Sequence, residues 1–147
     1  MAEGTEKIKM NIGCIFRLNN ALIKQKNRKM TKWELTSIQA DVLVYILLNA
    51  DKGEINQLDI QAVFKLTNPT VSGIVDRLEE KNFIKRVKSL KDARFRRLIP
   101  MPKGEELLGV LTQSARDAEE DLLKNMTPDE QEEFERLLKI ALETVEE

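Results

Sequence analysis

The sequence contains no histidine and only one cysteine, Cys14, among its 147 residues. A lone cysteine excludes an internal disulfide, and the absence of histidine removes the commonest metal ligand and general base. The sequence shows no phosphate-binding glycine loop and no plausible pairing of a nucleophile with a base. These absences predict a protein that is not an enzyme and that holds no metal or other cofactor.

Glycine and proline are also scarce, with six and four residues, which favours helices over long disordered stretches. No apolar run approaches the roughly 18 residues needed to cross a bilayer. Residues 1–6 lack the basic and apolar regions of a secretory signal. The sequence therefore predicts a cytoplasmic protein that has no membrane partner.

Charge is balanced overall, with a net value of −1, but it is uneven along the chain. Residues 85–103 hold eight basic residues and one acid, which gives +7. Residues 104–147 hold four basic and fourteen acidic residues, which gives −10. This asymmetry predicts a localised surface that binds phosphate groups.

Hydrophobic spacing predicts a first amphipathic helix from about residue 6 to residue 27. Its apolar stripe consists of Ile8, Ile12, Ile15, Leu22 and Ile23. Thr36 and Gln39 then form a capping box at the start of a second helix, which is apolar on most sides and is expected to be buried. We expect this helix to stop near Gly53.

Two shorter helices are predicted next. The first covers about residues 56–64, and the second runs from Asn68 to about residue 81. Asn68 is expected to be the N-cap and Pro69 the first helical residue. Asn82 suits a left-handed residue just after the helix.

The pattern then changes to two short segments in which charged and apolar residues alternate, residues 83–88 and 95–99. They predict two strands joined by a basic loop. Two helices close the chain, one ending near residue 125 and one opened by a capping box of Thr127 and Glu130. The fold class is therefore mainly α with a small β-hairpin wing.

This order of elements predicts a winged helix-turn-helix flanked by N- and C-terminal dimerisation helices. We expect an N-terminal helix and loop in residues 1–33, a DNA-binding domain in residues 34–104 and dimerisation helices in residues 105–147. The flanking helices carry apolar stripes that so small a core cannot cover. A second copy related by two-fold symmetry is the commonest way to cover them.

From Glu34 to Leu108 the sequence resembles the MarR (multiple antibiotic resistance regulator) family. Residues 35–43 match its LTxxQxxVL pattern, and residues 69–79 resemble its recognition helix. Asp92-x-Arg94, followed by Gly104 twelve residues after Asp92, reproduces the spacing of its wing motif. The family usually has glycine where Asn82 stands and Leu-Thr where residues 101–102 are Met-Pro.

The resemblance identifies candidate DNA-binding residues on the recognition helix, whose N-terminal part meets the major groove. Asn68, Thr70 and Ser72 are short polar side chains that can reach base edges or phosphates, and Arg77 can reach a phosphate. The alternative without a DNA-binding role is that Asn68 only caps the helix and that the side chains of Thr70, Ser72 and Arg77 are merely exposed to solvent.

The second set of candidates lies in the hairpin. Arg94 at its tip can enter a minor groove, and Asp92 can hold the guanidinium in place. An ordinary surface ion pair is the alternative for these two residues. Lys88 and Lys91, together with Arg96 and Arg97, are expected to attract phosphates without reading sequence.

The sequence thus predicts a transcription regulator that binds double-stranded DNA at a pseudo-palindromic operator as a homodimer. Repression is the family's usual mode, and release by a small-molecule effector is one route to regulation. The alternatives are a winged helix that binds a protein through its acidic helices, and a regulator that senses oxidants through Cys14. The apolar neighbours of Cys14 favour a small, half-buried structural residue instead.

Overall fold

The computed structural model describes residues 2–146, and the side chains of residues 13–146. The described part of the chain is mainly helical, with one antiparallel hairpin. The elements are α1 (Ala2–Met30), a 3₁₀ turn (Thr31–Trp33), α2 (Ser37–Asn49), α3 (Gln57–Phe64), α4 (Asn68–Glu80), β1 (Ile84–Lys88), β2 (Arg96–Pro100), α5 (Pro102–Glu105), α6 (Leu108–Leu123) and α7 (Pro128–Val145). None of the helices within residues 2–146 is long and apolar enough to cross a membrane.

The chain divides into two compact units, Met1–Leu108 and Gly109–Glu147. The core of the first unit surrounds α2, whose buried residues include Val42, Leu43 and Ile46. The predicted capping box is present, since Thr36 Oγ1 accepts from the Gln39 amide at 3.3 Å and Gln39 Oε1 accepts from the Thr36 amide at 3.0 Å. Local hydrogen bonding therefore fixes where the central helix begins.

The second helix ends at Asn49, so the expected stop near Gly53 is four residues late. The Lys52 amide donates to the Asn49 carbonyl at 3.0 Å, which closes a turn before Gly53 is reached. Gly53 follows that turn directly, with φ of 156°. The glycine ends the turn rather than the helix.

The first helix is longer than the predicted span of residues 6–27, because it begins at Ala2 and its polar stretch from residue 24 continues to Met30. No glycine or proline interrupts this polar stretch, and Lys26 forms an ion pair with Asp41 of α2. The side chains of Ile8 and Ile12 lie outside the described residues. Cys14 is exposed in the single chain, so the expectation of a half-buried cysteine is wrong there.

The prediction that Asn68 caps α4 is also wrong. Thr67 is the N-cap, with extended backbone at φ −76° and ψ 157°, and Asn68 and Pro69 are the first two helical residues. Asn68 Oδ1 instead accepts a hydrogen bond from Gln61 Nε2 of α3 at 3.0 Å. The far end of α4 agrees with prediction, because Asn82 is left-handed with φ of 62°.

The hairpin pairs Ile84 with Pro100 at its base and Lys88 with Arg96 near its tip. The Leu98 amide donates to the Ile55 carbonyl at 2.7 Å, so the segment before α3 is attached to β2. The short helix α5 that follows was not predicted. Its Gly104 is buried so close to the start of β1 that an added Cβ would lie 2.2 Å from the Phe83 carbonyl oxygen.

The second unit is a pair of helices, α6 from Gly109 onward and α7. Thr127 and Glu130 form the predicted capping box at the start of α7. Gln131 Nε2 donates to the carbonyls of Leu123 and Met126, each at 3.2 Å, and so ties α7 to the end of α6. Large apolar side chains of α7 are half or more exposed in the single chain: Leu137, Leu138, Ile140, Leu142 and Val145.

We expect Gly104→Ala to destabilise the protein by about 2 kcal/mol, because the backbone of Phe83 must move to admit the methyl group. Urea unfolding followed by circular dichroism measures the change. Gly109→Ala is the matched control, since an added Cβ there meets nothing within 4 Å. An equal effect of the two substitutions would contradict the assigned role of Gly104.

Candidate DNA interface

Helix α4 exposes its N-terminal turn while its other face enters the core. Its apolar residues recur at helical spacing and are buried: Val71, Ile74, Val75 and Leu78. Asn68 and Thr70 are exposed, and Ser72 and Arg77 are half-buried. Gly73 is also exposed, and a side chain there would meet nothing within 4 Å. A ligand can therefore approach this turn of backbone closely.

Three of the recognition-helix candidates have hydrogen-bond partners inside the chain. Asn68 Oδ1 accepts from Gln61, which leaves the amide NH₂ of Asn68 as a donor. Thr70 Oγ1 lies 2.9 Å from Thr67 Oγ1. Arg77 forms an ion pair at 3.4 Å with Glu80, near the C-terminal end of the helix.

The wing presents Arg94 to solvent, with its side chain 84% exposed. Asp92 clasps this guanidinium, since Arg94 Nη2 donates to Oδ2 at 2.7 Å and Nε lies 3.1 and 3.2 Å from the two carboxylate oxygens. The Arg94 amide also donates to Oδ1 at 3.0 Å. Three of the five guanidinium N–H groups stay available for a ligand.

This clasp shifts both ionisation equilibria. Hydrogen bonds from the side chain and the amide of Arg94 lower the pKa of the Asp92 carboxyl. The hydrogen bond to Asp92 raises the pKa of Arg94. Both residues are therefore charged at neutral pH, and the ion pair is maintained there.

The remaining wing candidates surround Arg94. Lys88, Lys91 and Arg96 are exposed, whereas Arg97 is half-buried. A groove of about 450 Å³ separates this wing from the helix-turn-helix. Its lining includes Gln57, Gln61, Asn68, Arg86, Arg94 and Arg96. The recognition-helix candidate Asn68 and the wing candidate Arg94 therefore face one continuous groove, whose lining also includes the apolar side chains of Leu58 and Phe95.

Sequence reasoning missed the part that Arg86 plays at the base of the wing. Its side chain is only 14% exposed and donates from Nη2 to Asp76 at 2.6 Å, from Nη1 to Glu79 at 3.1 Å and from Nε to Gln57 at 3.1 Å. The Arg86 amide also donates to Glu79 at 2.8 Å. One side chain thus joins β1 to both α4 and α3.

Comparison with known proteins agrees with this geometry. The model of the MarR family matches residues 36–95. No curated protein sequence matches the chain. Among solved structures, a Staphylococcus aureus MepR–DNA complex is 24% identical, with 92% of this chain and 98% of that chain covered and a TM-score of 0.81.

Two further solved structures have a similar fold. A mutant MarR from E. coli complexed with operator DNA is 23% identical over 92% of this chain and 96% of that chain, with a TM-score of 0.77. S. aureus MepR in its DNA-binding conformation is 25% identical over 92% of this chain and 98% of that chain, with a TM-score of 0.72. The predicted fold, mainly α with a hairpin wing, is confirmed.

We expect Arg94→Ala to raise the pKa of Asp92 towards its ordinary value of 3.8, because it removes the side-chain hydrogen bond that lowers this pKa most. The amide of residue 94 can still donate, so part of the lowering should remain. In the unaltered protein the clasp is complete above that value and is lost as the pH falls through the lowered pKa. Carboxyl ¹³C NMR titration of Asp92 measures both. An Asp92 titration that Arg94→Ala leaves unchanged would contradict the clasp.

Proposed function

Residues 36–95 carry the MarR-family domain, and from that premise we propose that this protein is a sequence-specific transcription regulator of duplex DNA. Members of this family are transcription regulators, so the prediction that the chain is not an enzyme is confirmed. The observation that carries the proposal is the groove in which an exposed helix N-terminus faces a basic wing with a preformed arginine tip.

The recognition helix reads the major groove through its first two turns. Asn68 offers an amide donor, and Thr70 and Ser72 offer hydroxyls, to base edges or phosphates. The free amides at the start of α4 carry a partial positive charge that suits a phosphate oxygen. Arg77, farther along the helix, contacts the backbone at the side of the groove.

The wing reads the minor groove through Arg94, while Asp92 holds the guanidinium in place. A narrow A·T-rich minor groove concentrates negative potential, which attracts an arginine. Lys88 and Lys91 bind phosphates and contribute affinity without sequence preference. The half-buried Arg97 contributes mainly to the local potential.

The protein binds its operator as a homodimer. Apolar side chains of α1 and α7 are exposed in the single chain, including Ile15 at 66%, Phe16 at 63% and Val145 at 78%. A second copy of the chain covers these faces by two-fold symmetry. Two recognition helices then enter successive major grooves about 34–36 Å apart, which requires a pseudo-palindromic operator.

Regulation follows from the spacing of the two DNA-binding units. An operator within a promoter makes the bound protein a repressor of that promoter. A small-molecule effector that binds better to dimers with the wrong spacing shifts the population away from the DNA-bound form. Its effect is limited by its difference in affinity for the two states.

The proposal is tested by fluorescence anisotropy with DNA from upstream of the protein's own gene and a shuffled fragment, across a salt series. We expect preference for the upstream DNA at near-physiological salt. Equal binding to both fragments that falls steeply with salt would leave only non-specific phosphate binding. Absence of binding at low salt would reject DNA as the partner and favour a protein partner.

Arg94→Ala is expected to weaken operator binding by roughly tenfold to a hundredfold and to relax base preference where the wing lies. Arg136→Ala is the matched control, since Arg136 is also an exposed arginine that is paired with a nearby carboxylate, Glu133, but in α7. Anisotropy with operators altered at single positions measures both. A dissociation constant that Arg94→Ala does not change would remove Arg94 from the site.

Leu138→Glu is expected to convert the dimer into a monomer, because it places a charge on the exposed apolar face of α7. Val63→Glu is the control, with a residue of similar exposure on α3. Sedimentation equilibrium measures the mass, and anisotropy measures the accompanying loss of operator affinity. A dimer that survives Leu138→Glu would place the interface elsewhere.

A further inference from the structure

Glu54 lies beside the tip of the wing although it belongs to the segment between α2 and α3. Its Oε2 accepts from the hydroxyl of Ser89 at 2.5 Å, 35 residues away in the chain. Its Oε1 accepts from the Leu90 amide at 2.7 Å. The carboxylate therefore holds the first two residues of the turn between β1 and β2.

The hydrogen bonds continue from Ser89 to Arg94. Ser89 Oγ accepts from the amides of Lys91 at 3.1 Å and of Asp92 at 3.2 Å. Asp92 in turn clasps the Arg94 guanidinium. An unbroken chain of hydrogen bonds thus runs from Glu54 through Ser89 and Asp92 to the exposed arginine.

Packing cannot order this turn by itself. Leu90 is 81% exposed and the side chain of Arg94 is 84% exposed, so neither contributes buried contacts. Polar contacts must therefore set the conformation of the tip. Hydrogen bonds to a charged acceptor are about twice as strong as those between neutral groups.

The Glu54 end of this chain of hydrogen bonds is anchored in the core. Ile55, the next residue after Glu54, is 5% exposed, and its carbonyl accepts from the Leu98 amide of β2. The Ser89 hydroxyl and the Leu90 amide lower the pKa of the Glu54 carboxyl, so it is ionised at neutral pH. A charged acceptor is thus fixed to the core below the turn.

We propose that Glu54 is a positioning residue for Arg94, holding it through Ser89 and Asp92 in the orientation that enters the minor groove. The proposal rests on the proposed function. Ordering the tip before DNA binds lowers the entropy lost on association. Glu54 itself touches no DNA.

The direction in which Glu54→Gln changes operator affinity distinguishes this positioning role from a purely electrostatic one. Glu54→Gln removes a negative charge beside a basic wing, which by itself attracts DNA phosphates more strongly. The same substitution removes one of the two acceptor oxygens, because an amide NH₂ cannot accept. Positioning therefore predicts weaker operator binding, and electrostatics alone predicts tighter binding.

The experiment measures operator affinity for Glu54→Gln, Ser89→Ala and Ser89→Thr. We expect the first two to weaken binding by less than Arg94→Ala does, and the threonine, which keeps a hydroxyl, to retain affinity. In an Arg94→Ala background, Glu54→Gln should add no more than about a twofold loss. Asp51→Asn, which removes an exposed carboxylate three residues before Glu54, should cause no loss.

A second measurement needs no DNA. The ¹⁵Nε signal of Arg94 and the ¹⁵N relaxation of the Leu90 and Asp92 amides report the order of the tip in the free protein. We expect Glu54→Gln to move the arginine signal towards its solvent-exposed position and to increase amide motion. Thermal unfolding verifies that the variant stays folded.

Tighter or unchanged operator binding by Glu54→Gln would overturn the proposal, as would losses that simply add to those of Arg94→Ala. An ordered tip in the free Glu54→Gln protein would overturn it as well. If the unaltered protein showed no operator preference, the proposed function would fail instead. The Arg94 signal in the free protein would then still decide whether Glu54 holds the arginine.

Discussion

The candidate interface depends on the attachment of the hairpin to the helices by Arg86. A two-stranded hairpin is only marginally stable by itself in water, so its position must come from contacts with the core. Beside the buried Ile84 and Leu98, Arg86 supplies polar contacts with a guanidinium that is 14% exposed and bonded to Asp76, Glu79 and Gln57. Because a largely buried charge is costly without partners, these bonds favour the placement of β1 in which all of them form. That placement decides how far the wing lies from the recognition helix.

The same network shapes the charge of the interface. Asp76 and Glu79 would otherwise place two negative charges on the helix that is proposed to enter the major groove. Arg86 compensates them from the side of the wing, and Glu80 is paired with Arg77. The basic residues nearer the tip are left to act on phosphates. Local pairing therefore explains how a chain with a net charge of −1 can present a basic face.

The sequence predicted correctly those features that depend on residues close together in the chain. The capping box at Thr36 and the left-handed Asn82 depend on residues within one turn, and both predictions are confirmed. Asn68 was misassigned as a cap because the preceding Thr67 is also a residue type that suits an N-cap. The hydrogen bond from Gln61, seven residues away, is not visible in a local pattern. The partners of Arg86 and Glu54 were missed for the same reason. They lie up to 36 residues apart, and only the folded chain brings them together. Which candidates touch DNA stays a prediction.

An ordered wing tip and dimerisation both increase the selectivity for an operator, the first within one chain and the second between two chains. One exposed arginine and a few short polar side chains make too few contacts to select an operator against a genome of competing sites. An ordered tip raises the contribution of each contact because less entropy is lost when DNA binds. A second copy doubles the contacts and turns the second binding event into an intramolecular one. Covering the apolar faces of α1 and α7 would therefore stabilise the fold and supply the selectivity that one wing and one helix lack.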